Sequence, residues 1–284
     1  MELTNAIEIR GLTKHYKGFS LENLNLDLPA GCVLGLVGEN GAGKSTTIRL
    51  TMDALERDGG TVTVLGVDNK SREFHAIKED IGVVLDEAFF PEIMTSRDIG
   101  RVMAATYRRW DAAAYARRLK DFGLKENQPF KEFSRGMKMK LAIATALSHA
   151  PRLLILDEAT SGLDPVVRDE MLDVFRDFAQ EDGHAVLMSS HIVSDLEKVC
   201  DYIACLHKGK LLLCQEKDRL MEDFAVARLT QETFSALPPT AVHGAKHTPY
   251  YIEALVDRAA LPTQIRPEHA SLEDILLLLV KKEA

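Results

Sequence analysis

The run Gly38-Glu39-Asn40-Gly41-Ala42-Gly43-Lys44-Ser45-Thr46 constrains this chain more than any other feature, because it has the spacing GxxxxGK[ST]. It follows Cys32-Val33-Leu34-Gly35-Leu36-Val37, an almost continuously apolar run of the kind expected of a strand buried on both faces. It opens a stretch from Ser45 to Leu55 at helical spacing. A strand, a glycine loop and a helix in that order form an anion cradle. The glycines let the backbone curl so that successive N–H groups, with the positive end of the helix dipole, surround nucleotide phosphates. Lys44 then reaches the outer phosphates, and Ser45 offers its hydroxyl to Mg2+.

Apolar strand signals return at Ile81 to Leu85, Leu153 to Leu156 and Ala185 to Met188, interleaved with helical patterns at Val166 to Gln180 and Ile192 to Val199. This alternation predicts an α/β fold with a parallel sheet. Ile7-Glu8-Ile9 and Leu24 to Leu28 alternate apolar with polar residues, as antiparallel strands with one buried face do. Residues 91–150 differ: helical patterns run through Arg97 to Arg108, Ala112 to Phe122 and Arg135 to Ser148 with no strand between them. The expected division is a core from 1–90 and 151–218, an all-helical subdomain at 91–150, and a small C-terminal extension at 219–284. The extension holds five of the ten prolines and ends in a short apolar helix from Ser271 to Val280.

Composition narrows the function classes. A net charge of -8 argues against a primary nucleic-acid function, which needs a basic stripe. The longest unbroken apolar run, Ile275 to Val280, is far short of the roughly 20 residues that span a bilayer, and no leader opens the chain. A cytoplasmic protein is the expectation. Cys32, Cys200, Cys205 and Cys214 match no metal-binding spacing and read as buried free thiols.

Leu153-Leu154-Ile155-Leu156 ends in Asp157-Glu158, which places two carboxylates at the carboxyl edge of the sheet, beside the glycine loop. Asp157 is the candidate Mg2+ ligand, and Glu158 the candidate that orients or deprotonates the water attacking the γ-phosphate. Asp157-Glu158 leads into Ala159-Thr160-Ser161-Gly162-Leu163-Asp164-Pro165, and a later strand ends Ser189-Ser190-His191. Over about residues 3 to 215, this order of motifs resembles the nucleotide-binding subunit of ABC transporters.

The resemblance implies a RecA-like core with an antiparallel β layer and a helical subdomain. It also implies a head-to-tail dimer in which each ATP lies between the glycine loop of one protomer and the signature loop of the other. It makes Tyr16 the adenine-stacking aromatic, His191 the switch histidine at the γ-phosphate, and Asp164 the aspartate that crosses the interface. The partners it implies are a second ATPase subunit, identical or paralogous, and an integral membrane permease, so that the chain sits peripherally on the inner face of the cell membrane.

Two positions depart from the family pattern. The signature loop, usually LSGGQ, is Phe133-Ser134-Arg135-Gly136-Met137 here, which keeps Ser134 and Gly136 for the opposite γ-phosphate. The glutamine that usually follows the Ile81 to Leu85 strand is Asp86, which either binds Mg2+ more directly or turns into solvent. With the Cys205 to Lys210 hairpin and the C-terminal extension, these variants look like the compact bacterial exporter ATPases of drug and antimicrobial-peptide type. Phe89-Phe90-Pro91-Glu92-Ile93-Met94 offers a docking groove for a cytoplasmic permease helix, or else packs the helical subdomain. Two rival functions stay open: a soluble ABC ATPase acting on ribosomes or DNA, and a nucleotide-sensing module whose turnover Asp86 and Arg135 have weakened.

Overall fold

Strands β1 (Asn5–Tyr16) and β2 (Phe19–Pro29) form an antiparallel hairpin, and their alternating residues Ile7, Ile9, Leu24, Leu26 and Leu28 are all buried. The structure is a computed structural model that describes residues 5–86, 90–263, 265, 267 and 270–282. After β3 (Val33–Val37) come α1 (Lys44–Thr51), β4 (Gly59–Val64), β5 (Val67–Asp68), α2 (Phe74–Ile77) and β6 (Ile81–Val84). Helices α3 (Ser96–Thr106), α4 (Ala112–Asp121) and α5 (Arg135–Leu147) then follow without a strand between them. The chain returns through β7 (Leu153–Asp157), α6 (Pro165–Ala179), β8 (Ala185–Ser190), α7 (Val193–Val199), β9 (Tyr202–His207) and β10 (Lys210–Glu216). It closes with α8 (Lys217–Asp223), β11 (Phe224–Leu229), α9 (Gln231–Ala236), β12 (Val242–His247), β13 (Ile252–Asp257) and α10 (Leu272–Lys282).

The central sheet has six strands in the order β10-β9-β3-β8-β7-β6, parallel except for β10. Every residue of β3, β7 and β8 is buried, which explains their unbroken apolar sequences. Strand alternation divides these side chains between two cores. Leu34, Leu36, Leu153, Ile155 and Leu187 face the four-stranded antiparallel layer β2-β1-β4-β5 and α1. Val33, Val37, Leu154, Leu156, Val186 and Met188 face Phe175 of α6, Leu196 of α7, and Met139, Ile143 and Ala146 of α5.

The helical layer has its own core of Ile99, Tyr115, Leu119, Leu124, Phe130 and Phe133, to which α5 contributes Leu141 and Ala144. Helix α5 therefore faces two cores at once. Its layer starts cleanly at each helix: Thr95 and Asp98 form a capping box on α3, Asp111 caps α4 and Ser134 caps α5.

Helix α1 ends at Thr51, short of the predicted Leu55, because Asp53 takes a left-handed backbone with φ 51°. Cys200 and Cys205 are buried and Cys32 is half-buried, but Cys214 is exposed, contrary to the expectation for all four thiols. It lies on β10, the edge strand of the sheet. Among the described residues, no helix is long and apolar enough to cross a membrane.

The C-terminal segment builds an antiparallel sheet β11-β13-β12, covered on one face by α10. Val226 and Leu255 of this sheet, with Leu272, Ile275, Leu276 and Leu279 of α10, join the same apolar cluster as Phe175 and Leu196. The backbone N–H of Leu272 also donates to Glu197 of α7 at 2.9 Å. Because this core is continuous, Ile275→Ala, at a fully buried position, is expected to lower the stability of the whole chain by about 2–5 kcal/mol. Denaturant unfolding followed at Trp110 in the helical layer should shift as one transition; an unmoved transition there would show that the C-terminal layer unfolds separately.

Candidate nucleotide site

The glycine loop is held in place from behind by the turn between β9 and β10. Gly209 N–H donates to Ala42 O at 3.0 Å, and Gly38 lies so close to Leu206 that a β-carbon there would sit 2.3 Å from its carbonyl oxygen. Gly43, the residue before α1, has φ 114°, a left-handed backbone that a side chain would strain. Ala42 is buried, Thr46 is half-buried in the first turn of α1, and Asn40 and Gly41 stay exposed at the tip. Lys44 is 6% exposed; its Nζ donates to Gly38 O at 2.7 Å and Glu39 O at 3.3 Å and lies 3.2 Å from Glu158 Oε1. A cation and the N-terminus of α1 thus point at the same space, as anion binding requires.

Parallel register brings the acidic residues to this loop. Asp157 pairs with Ser189 across β7 and β8, and Val37 pairs with Ser190 across β3 and β8, so all three strands end at one edge. Asp157 Oδ1 accepts Ser45 Oγ–H at 3.1 Å and Ser189 Oγ–H at 2.7 Å. A carboxylate beside a hydroxyl is a hard-oxygen donor set, and it fits Mg2+, which takes one or two protein oxygens and completes its shell from phosphate and water. Ser189 also accepts the Glu158 N–H at 3.0 Å, so it braces both acidic residues. Sequence reading assigned Ser189 no role; its signal was the position two residues before His191.

Glu158 holds φ 52°, a conformation that persists in a non-glycine residue only where its surroundings enforce it. Its carboxylate sits between Lys44 Nζ on Oε1 and His191 Nδ1, 2.6 Å from Oε2. The structure therefore brings Lys44, Ser45, Asp157, Glu158 and His191 together. Tyr16 lies at the end of β1, 43% exposed, with its ring 6.2 Å from that of Phe19; a β-carbon on Gly43 would meet Phe19 at 3.2 Å, so this aromatic pair borders the loop.

The remaining candidates lie apart from this cluster. Ser134 Oγ accepts the Met137 N–H at 3.2 Å and Asp164 Oδ1 accepts the Val167 N–H at 3.1 Å, so within one chain both act as helix caps. Gly136 lies in the first turn of α5. Asp86 Oδ1 accepts Arg135 Nη2–H at 2.9 Å, and its side chain is 53% exposed. Glu39 places Oε1 3.1 Å from Nδ1 of the buried His207, without hydrogen-bond geometry.

The comparisons agree with this geometry. A family model described as ABC transporter matches residues 21–161. The bacitracin transport ATP-binding protein BcrA of Enterococcus faecalis is 32% identical over 215 residues, covering 75% of this chain and 70% of that protein. The chain belongs to the ABC transporter ATP-binding family. The lantibiotic transport ATP-binding protein SrtF of Streptococcus pyogenes is 34% identical over 215 residues, covering 75% of this chain and 91% of that protein. A solved ATP-binding subunit of an ABC transporter superposes with a TM-score of 0.69 at 28% identity, covering 77% of this chain and 92% of that one. This ABC subunit is accordingly an ATPase with a RecA-like P-loop fold.

A second buried acid, besides Asp157, lies in α7. Asp195, at the third position of α7, is 3% exposed and its Oδ2 has no hydrogen-bond partner. Burial pushes its carboxyl pKa above the usual carboxylate range, opposed by Thr160 and Arg168 without being cancelled. With the folded pKa raised, the native state binds more protons than the unfolded chain between about 3.9 and the folded value, so this group lowers stability as pH rises through that window. Asp195→Asn should raise the melting temperature at neutral pH, and the gain should vanish below about pH 3.9. A gain independent of pH would show that the charge is not its cause.

Proposed function

We propose that this ABC ATPase drives an exporter, pairing with a second ATPase subunit and engaging a separate integral membrane permease at the inner face of the membrane. The observation that carries the proposal is the convergence of Lys44, Ser45, Asp157, Glu158 and His191 at one sheet edge, all in hydrogen-bond or ion-pair contact. The bacitracin and lantibiotic transport roles named for two relatives support export of a drug-like or antimicrobial-peptide cargo.

In this reading Ser45 and Asp157 hold Mg2+, which supplies charge neutralisation on the phosphates when bound. The loop N–H groups and Lys44 bind and orient the phosphate chain. Glu158 accepts the proton of the attacking water as the new P–O bond forms and the bond to the ADP oxygen breaks. His191, 2.6 Å from Glu158, holds that carboxylate in place and faces the γ-phosphate. Ser134, Gly136 and Asp164 act across the dimer, which accounts for their distance from the intrachain cluster, and Tyr16 stacks on the adenine. Phosphoryl transfer asks mainly for such positioning and charge.

The seat we assign to the permease is a groove of about 240 Å³ beside β6 and the helical layer. It is lined by Val83, Leu85, Phe90, Met103, Tyr107 and Ala146, and Leu85 is 42% exposed. Of the sequence segment proposed for docking, Phe89 lies outside the described residues. Phe90 both lines the groove and packs edge-to-face on Phe130, with ring centroids 5.6 Å apart. Ile93 is 82% exposed and Met94 packs on the helical core. A short helix presenting apolar side chains suits this groove.

Glu158→Gln should lower kcat by roughly 10²–10⁴-fold, the range of a general base, while nucleotide binding persists. An unchanged rate would exclude hydrolysis at Glu158. Tagged Glu158→Gln, expressed from its native operon and extracted from membranes in mild detergent with ATP, should co-purify a hydrophobic multi-span chain. Recovery of ribosomal or DNA-bound proteins instead would overturn the transport reading. Phe90→Asp should abolish that co-purification without loss of ATP binding; retention of both would place the permease elsewhere.

A further inference from the structure

The two positions that depart from the family pattern, Asp86 and Arg135, are 49 residues apart and bonded to each other, with Nη2 of the guanidinium 2.9 Å from Oδ1 of the carboxylate. Their surroundings place the pair beside the loop that leaves Glu158. Strands β6 and β7 are parallel with Val84 opposite Leu156, and Asp86 and Glu158 each follow two residues after that last pairing, where the chain leaves the same end of the sheet. On its other side the guanidinium lies over Gly162. A β-carbon built there would sit 2.9 Å from Arg135 Cζ, 3.0 Å from Nη1 and 3.1 Å from Nε, so the planar group rests directly on the glycine. One side chain on the first residue of α5 therefore touches both the segment after β6 and the loop that leaves Glu158.

That loop is tight. Ser161 N–H donates to Glu158 O at 3.0 Å and Leu163 N–H to Thr160 O at 3.3 Å, so a displacement at Gly162 is carried to Glu158. Glu158 itself sits at φ 52° and depends on its surroundings to stay there. The ion pair explains little as a stabilising contact, since both side chains are 53% exposed and such pairs contribute little to folding. Its distinguishing property is where it lies.

We propose that Arg135 is a positioning residue for hydrolysis: held by Asp86 and laid across Gly162, it fixes the start of α5 against the sheet edge and keeps Glu158 oriented. In this proposal Asp86 acts through its bond to Arg135, made at Oδ1. This inference rests on the hydrolytic role proposed above for Glu158.

The test is a double-mutant cycle on the full chain. Asp86→Ala and Arg135→Ala should each lower kcat about fivefold to thirtyfold, with equilibrium binding of a fluorescent ATP analogue changed by less than about twofold. The double variant should be no slower than the slower single. Melting temperatures of the same four proteins without nucleotide should be non-additive. Where Arg135→Ala fails to fold, Arg135→Gln keeps a flat group over Gly162 and removes the charge.

Multiplicative losses in kcat would overturn the proposal. So would an Asp86→Ala defect that excess Mg2+ repairs while Arg135→Ala is silent, because that pattern marks a metal ligand. If the wild-type chain shows no turnover that depends on Glu158, the hydrolytic reading itself fails, whereas the nucleotide-free melting cycle still reports whether the pair is coupled.

Discussion

Lys44 sets the terms for the rest of the structure. An ammonium group that is 6% exposed needs acceptors for its protons, or its burial is prohibitively unfavourable. Two acceptors are the carbonyls of Gly38 and Glu39, available only because the glycine loop curls back over the lysine. The third is Glu158, which comes from the end of β7, two strands away from β3 in the sheet. A one-residue slip of β7 would reverse its side chains and withdraw that carboxylate. The loop conformation and the sheet register therefore stand or fall together.

Register on that sheet is fixed by burial on both faces. The inward residues of β3, β7 and β8 divide strictly between the core under the antiparallel layer and the core under the helices. A slip would exchange two differently shaped sets of partners at once. Ser189 shows how the polar edge follows from the same constraint: its alignment with Asp157 lets one hydroxyl donate to that carboxylate and accept the next N–H. The apolar sequence of the strands thus determines where the carboxylates of Asp157 and Glu158 lie.

What could be read from sequence was what is encoded locally. The glycine loop, the fully buried strands and helices α3 to α6 were legible because each rests on a period or a spacing within about fifteen residues. β4, at Gly59–Val64, was missed: it opens with two glycines and alternates over only four residues. The C-terminal sheet was missed as well, since charged residues, Arg228 in Phe224–Leu229 and Glu253 in Ile252–Asp257, interrupt its apolar runs. Within the site, the motif residues were legible, but the contacts between them were not. Asp86 and Arg135 were two separate anomalies in the sequence, and only the fold joins them.

Helix α5 is where these levels meet. Met139, Ile143 and Ala146 belong to the core against the sheet, Leu141 and Ala144 belong to the core of the helical layer, and Arg135 at its start reaches the edge near Glu158. The groove beside β6 is lined in part by Ala142 and Ala146 of the same helix. Packed interiors resist small deformations and move as units. One 13-residue helix thus joins the sheet edge to the wall of the groove. Coupling between two sites requires a connected element that both of them bias, and α5 touches both.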